Sequence, residues 1–241
     1  MQYRRFGKTN RQLSVFSLGT MRYLAAASVA ADVVQAAIAH GINHLETAQG
    51  YGQSEQFLGK ALSQGVGVER HHLYITTKIT PTPDANTMAR RIDRSLQSLG
   101  LDYIDGLAIH GVNTAQHLAW ITDPEGCMRA VREAIAVGKI QFVGFSTHAP
   151  LDIILAAIAT NQFDFINLHY YTFFQRNAAA IALAHAQDMG IFIISPADKG
   201  GMLYTPSDRL RQICAPFTPL ELNYRFLLSD PRITTLSVGP A

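Results

Sequence analysis

Cysteine is scarce: Cys127 and Cys214 are the only two in 241 residues, far apart and without CxxC spacing. That pattern does not fit a disulfide framework, and a reducing compartment is the default. Charge is also sparse, at 16% of residues with a formal net charge of +2. It leaves no clustered Lys/Arg footprint for nucleic acid or for an anionic membrane surface. No apolar run approaches the roughly 20 residues that cross a bilayer, and the opening MQYRRFG lacks the apolar stretch of a signal peptide. The expectation is a cytoplasmic protein that works on small molecules, with no nucleic-acid or membrane partner. The basic residues Arg4, Arg5, Lys8 and Arg11 are interrupted by Phe6 and Gly7, and read as a hairpin face rather than a phosphate patch.

What the chain does have is apolar residue, 48% of the total, distributed in short runs that alternate with longer helical patterns. VFSLG (15–19), NHLET (43–47), LYITTK (73–78), IDGLAI (104–109), QFVGFS (141–146), FINLHY (165–170), IFIIS (191–195) and TTLSVG (234–239) read as strands. They are not polar–apolar alternations, so they suit a parallel sheet buried on both faces. Helical patterns cover 28–40, 54–64, 85–99, 125–137, 150–160, 177–189 and 218–229, with Asp84 as a cap and Gly100, Gly138 and Gly190 as stop signals.

Eight strands in alternation with helices match a (β/α)8 TIM barrel. An open doubly wound sheet is the alternative, but the first turn, GTMRYLAAAS, has no GxGxxG. QYRRFGKTNRQLSV ahead of the first barrel strand reads as a β-hairpin plugging the barrel floor. No linker composition interrupts the chain, so residues 1–241 are expected to form a single domain. It looks truncated after strand eight: the chain reaches GPA there, and a barrel strand without its covering helix would leave an apolar patch. It therefore reads as a fragment of a longer protein.

A TIM barrel does its chemistry at the C-terminal ends of its strands. Glu46, Lys78 and His110 end three successive strands, and Tyr51 follows the first of them between Gly50 and Gly52. Each has a plainer reading alone: a loop carboxylate, a lysine snorkelling to solvent, a satisfied core histidine, a rim aromatic. Together they suit proton donation to a carbonyl oxygen. A nearby ammonium is expected to lower the phenol's pKa. The buried ammonium needs a carboxylate partner, which Glu46 supplies within salt-bridge range, about 4 Å. His110 is placed to orient the carbonyl. Nothing in the cluster supplies electrons, so a hydride donor such as a nicotinamide must be bound. The nine histidines do not form a metal pattern: His71 and His72 point apart, and His148 and His169 lack a further ligand at suitable spacing. His148 and Tyr170 read as pocket-rim residues, and Trp120, in the loop after His110, as either pocket lining or loop packing. Lys199, beside Gly200 and Gly201, suits an anion, although the glycine pair also serves as a plain turn.

YRRFGKT, FSLGTM, HLETAQGYGQSEQFLGKAL, LYITTK, SLQSLGLDYIDGLAIHG, GKIQFVGFSTH and SPADKGGML together resemble the aldo-keto reductase superfamily, and do so over essentially the whole chain. The wording is most similar to bacterial members with a C-terminal iron–sulfur extension, whose cluster cysteines are absent here. The resemblance implies a (β/α)8 barrel that reduces aldehydes or ketones with NADPH. It puts Tyr51, Lys78 and His110 in the catalytic tetrad, with Glu46 at a position expected to hold aspartate. It implies cofactor contacts from Ser146, Thr147 and Asn167, with Ser195 and Lys199 beyond them, and Ile194 in place of a stacking aromatic. NADP(H) is preferred over NAD(H) on the resemblance alone, because the 2′-phosphate contacts would follow strand eight. Two other roles stay open: a non-catalytic NADP(H)-binding regulatory subunit, and a redox partner of a downstream iron–sulfur domain.

Overall fold

A computed structural model describes residues 1–21, 27–198 and 201–239. The chain begins with an antiparallel hairpin, β1 (Tyr3–Arg5) and β2 (Gln12–Ser14), joined through a 3-10 turn at Gly7–Thr9. Eight parallel strands follow: β3 (Phe16–Gly19), β4 (His44–Glu46), β5 (Tyr74–Ile79), β6 (Ile104–His110), β7 (Ile140–Ser146), β8 (Phe165–Leu168), β9 (Gly190–Ile193) and β10 (Thr235–Val238). They close in chain order, β10 pairing with β3, so the expected (β/α)8 barrel and hairpin are both present.

Helices wrap the barrel: α1 (Ala27–Ala39), α2 (Ser54–Ser63), α3 (Ala85–Leu99), α4 (Ala115–Thr122), α5 (Cys127–Ala136), α6 (Leu151–Ala159), α7 (Ala178–Ala186), α8 (Asp208–Cys214) and α9 (Pro219–Ser229). Caps set several of these limits. Asp84 accepts the Thr87 N–H at 2.7 Å, Gly100 ends α3 at φ 63°, and Thr218 with Glu221 forms a reciprocal capping box on α9. Three expectations change. α4 and α8 were not foreseen, and Trp120 lies on α4, packed against His117 with ring centroids 5.5 Å apart, rather than in a loop. Gly190 does not end a helix; α7 stops at Ala186 and Gly190 opens β9.

The barrel interior is filled from below. Phe6 and Leu13 of the hairpin cluster with Ala108, Phe165 and Phe192. Glycines make this possible: a Cβ on Gly144 would stand 2.4 Å from the Phe165 ring, and one on Gly190 2.3 Å from the Phe6 ring. Above them lies a polar layer in which Ser17 Oγ meets His44 Nδ1 and Thr235 Oγ1, each at 2.6 Å, and His44 Nε2 meets Thr76 Oγ1 at 2.8 Å. Burial and then the charge of Lys78 push the His44 pKa down to about 3, so the ring is neutral.

The basic residues of the hairpin are structural. Arg4 donates to the carbonyls of Leu228, Asp230 and Ile233, at the end of α9 and just past it. Arg5 forms a bidentate pair with Asp188, and Arg11 lies over the rings of Tyr74 and Phe142. Cys127 and Cys214 are free and buried. Among the described residues no helix is long and apolar enough to cross a membrane.

Candidate active site

Period-two alternation along the barrel strands turns Glu46, Lys78, His110 and Ser146 inward at the C-terminal ends of β4 to β7. All four line one cavity of about 180 Å³, together with Tyr51 and Ser195. Tyr51 reaches it from the β4–α2 loop, which Gly52 turns at φ +61°. The loop is clamped to the barrel. Ser54 donates to Thr20 and contacts the Thr47 hydroxyl at 2.9 Å, and Thr77 donates to the buried Glu55 carboxylate at 2.6 Å.

The four polar groups form a chain. Lys78 is 1% exposed and pairs with Glu46, which is 3% exposed. Its ammonium donates to the Tyr51 hydroxyl at 2.9 Å and to the Thr47 carbonyl at 3.4 Å. His110 stands edge-on to the Tyr51 ring, with centroids 5.6 Å apart. The expected Glu46–Lys78 contact is therefore made.

The electrostatics differ from expectation at one point. Burial pushes the Tyr51 phenol up to about 12, where a neighbouring ammonium alone would have lowered it. The phenol is thus fully protonated across the neutral range, the form a proton donor needs. Burial also holds the Lys78 ammonium well below the ordinary lysine value, against the attraction of Glu46. His110 is pushed down to about 4 by burial, with the charge of Lys78 second, so its imidazole is neutral.

The other expected residues divide. Ser195 lines the cavity in a left-handed conformation, φ +50°. Thr147 does not line it: fully buried, its hydroxyl donates to Val112 at 2.8 Å and accepts the Ala149 N–H at 3.0 Å, shaping the turn after β7. Asn167 pairs in register with Ser146 but is wholly buried and does not line the cavity, and among the described residues neither atom of its carboxamide has a hydrogen-bond partner. His148 lines the cavity, with its ring 2.7 Å from a nitrogen of His169. Tyr170 instead stacks on Phe226, and Trp120 is away from the cavity. Lys199 lies outside the described residues. The described residues hold no group of three His, Cys, Asp or Glu suited to a metal ion.

Two contributors were not foreseen from the sequence, Ser237 and Gly19. Ser237 donates to Glu46 Oε2 at 3.1 Å from the last strand, and Gly19 leaves space beside both. The signal was present in TTLSVG, where period two turns Thr235 and Ser237 to the same face.

The family model for the aldo/keto reductase family matches residues 16–231. The chain belongs to the aldo/keto reductase family. Members of this family are oxidoreductases that act on carbonyl compounds. The chain is 26% identical over 244 residues to an L-glyceraldehyde 3-phosphate reductase of Escherichia coli, covering 91% of this chain and 62% of that protein. It is 32% identical over 160 residues to the methylglyoxal reductase DkgB of the same species, covering 63% of this chain and 57% of that one. The chain therefore spans less than two thirds of these relatives' length. In fold it is similar to the holo form of an aldo-keto reductase from Bacillus halodurans, with a TM-score of 0.86 at 23% identity, over 100% of this chain and 86% of the other.

Proposed function

We propose that this protein reduces a small aldehyde or ketone to the alcohol, with reduced nicotinamide, NADPH by preference, as co-substrate and Tyr51 as the proton donor. One observation carries the reading: the Tyr51 hydroxyl accepts a hydrogen bond from a buried lysine that is itself paired with a buried carboxylate, at the edge of a cavity open to a small molecule.

The residues present fit a nicotinamide. The orphaned carboxamide of Asn167 offers a donor and an acceptor, which match the acceptor and donor of the nicotinamide's own carboxamide. Ser146, next to Asn167 in register, lines the cavity together with Ser195 and Ile194, whereas Asn167 itself does not line it. The cofactor's part is to supply the hydride to the carbonyl carbon.

The chain's own groups do the rest. Neutral His110 donates a hydrogen bond to the carbonyl oxygen and turns it toward Tyr51. As negative charge develops on that oxygen, Tyr51 gives up its proton. The Lys78 ammonium, already hydrogen-bonded to the phenol oxygen, stabilises the phenolate that forms. Glu46 keeps the lysine charged in a site where burial disfavours the charge.

The test is steady-state reduction of a panel of aldehydes by the full chain with NADPH and with NADH. We expect turnover in the wild type and a fall in kcat on the order of 10²–10⁴ for Tyr51→Phe, with NADPH binding retained. Equal turnover in the mutant removes Tyr51 from the chemistry. Cofactor binding without turnover on any substrate favours a regulatory subunit instead.

A further inference from the structure

Glu46 has one methylene more than the aspartate expected at its position, and so one more rotatable bond to be fixed before its carboxylate can serve Lys78. Two residues meet that extra reach at the seam where the barrel closes. From β10, Ser237 Oγ donates to Glu46 Oε2 at 3.1 Å, while Oε1 faces Lys78. From β3, Gly19 pairs in register with Glu46. A Cβ on Gly19 would stand 2.5 Å from Ser237 Oγ and 3.3 Å from Glu46 Oε2. A side chain of any size there would displace the hydroxyl or the carboxylate. The longer acid, the hydroxyl and the bare α-carbon are therefore mutually dependent.

We infer that Ser237 is a positioning residue whose hydroxyl, admitted by Gly19, holds one oxygen of Glu46 so that the other holds Lys78 beneath the Tyr51 phenol. This rests on the reading of Tyr51 as proton donor. The charged and titratable groups around the carboxylate are Lys78 on β5, Tyr51 on the loop, His44 below on β4 and His110 on β6, and both histidines sense the charge of Lys78. A hydroxyl donating to a carboxylate is a charge-assisted contact, stronger than a neutral one. Small misplacements in such a relay are costly to rate.

The experiment compares Ser237→Ala and Ser237→Thr in the full chain, each in the Glu46 and the Glu46→Asp backgrounds. It reads kcat and KM with NADPH and a small aldehyde, the pH profile of kcat/KM, and the titration of Lys78 by NMR of lysine labelled with ¹³C at Cε. With Glu46 present, Ser237→Ala is expected to lower kcat about tenfold and to leave KM unchanged. It should also move the acid limb of the profile to higher pH, because the carboxylate has lost a donor, and let Lys78 lose its proton at lower pH than in the wild type. Ser237→Thr, which keeps a hydroxyl, restores most of the rate. In the Glu46→Asp background Ser237→Ala changes kcat less than about twofold, since the shorter acid has no oxygen at Ser237 and the two effects do not add.

Wild-type rate, profile and Lys78 titration in Ser237→Ala overturn the inference. So does an equal loss of rate in both backgrounds, which marks a merely structural role. Should the wild type reduce no carbonyl, the proposed function fails by itself, and the Lys78 titration still decides whether Ser237 acts through Glu46.

Discussion

Lys78 Nζ donates to the Tyr51 hydroxyl at 2.9 Å while the same nitrogen pairs with Glu46. The two contacts have different consequences. The carboxylate offsets the desolvation of an ammonium that is 1% exposed. In the proposed reaction the phenol contact costs little in the resting protein, where the phenol is protonated, and strengthens as the proton leaves.

Removing the carboxylate charge separates these effects. Glu46→Gln leaves the ammonium buried without a counterion, a change that typically costs about 3–5 kcal/mol, or lets the lysine become neutral. In either case we expect kcat/KM to fall on the order of 10²-fold. Urea denaturation and steady-state kinetics, run side by side, check both halves. Unchanged stability together with unchanged rate would mean that the pair has no role.

Asn167 sets stability against binding. Its carboxamide is wholly buried and has no hydrogen-bond partner among the described residues, and each unsatisfied polar group costs about 1–3 kcal/mol. Asn167→Leu should raise the Tm of the cofactor-free protein and weaken NADPH binding about tenfold or more. Thermal unfolding without cofactor and fluorescence titration with it check the two signs. A loss of stability in the variant would show that the carboxamide has a structural partner.

Acid should destabilise the fold through His44. Its folded pKa of about 3 lies below the unfolded value near 6.5. Above pH 6.5 the ring is neutral in both states and contributes no pH dependence. As pH falls from about 6.5 toward 3, the unfolded chain takes up a proton that the folded chain refuses, so stability drops by up to about 1.4 kcal/mol for each pH unit. His44→Gln keeps a polar side chain between Ser17 and Thr76 but cannot titrate. Its unfolding midpoint should fall less steeply with acid, as measured in urea at pH 7.5, 6 and 5.

The hairpin docks so closely that one methyl group should dislodge it. Gly7 sits at φ +51°, and a Cβ there would stand 2.3 Å from the Gly190 nitrogen and 2.4 Å from the Asp188 carbonyl. Both contacts are with backbone, which cannot rotate away. Gly7→Ala should cost about 2–4 kcal/mol, read from chemical denaturation. A loss below about 0.5 kcal/mol would mean that the floor of the barrel yields.

The barrel was legible because its strands are apolar runs at regular spacing, and the clustering at its mouth because period two sends Glu46, Lys78 and His110 there. α4 was hidden by its weak amphipathic pattern, AQHLAWIT, although Thr114 at its cap accepts the His117 N–H at 3.2 Å. α8 is a short, mostly exposed helix, DRLRQIC, with too few turns to show a period. The rise in the Tyr51 pKa depends on how deeply the loop packs, which no local pattern encodes. The Ser237–Glu46 contact joins residues 191 positions apart. It exists only because the last strand closes against the first, and neighbouring residue types give no hint of it.

That closure also orders the protein's assembly in time. β3 must wait for β10, and Arg4 for the carbonyls of Leu228, Asp230 and Ile233. While the chain is being synthesised, the edges of β3 and β9 therefore stay open until residue 238 has emerged. A nascent barrel of this kind carries two unpaired strand edges, the surfaces most prone to wrong association. Its slowest and most error-prone folding event is expected to be this last pairing, which joins the most distant parts of the sequence. The same pairing brings Ser237 to Glu46, so the cluster at the barrel mouth is completed only when the barrel is.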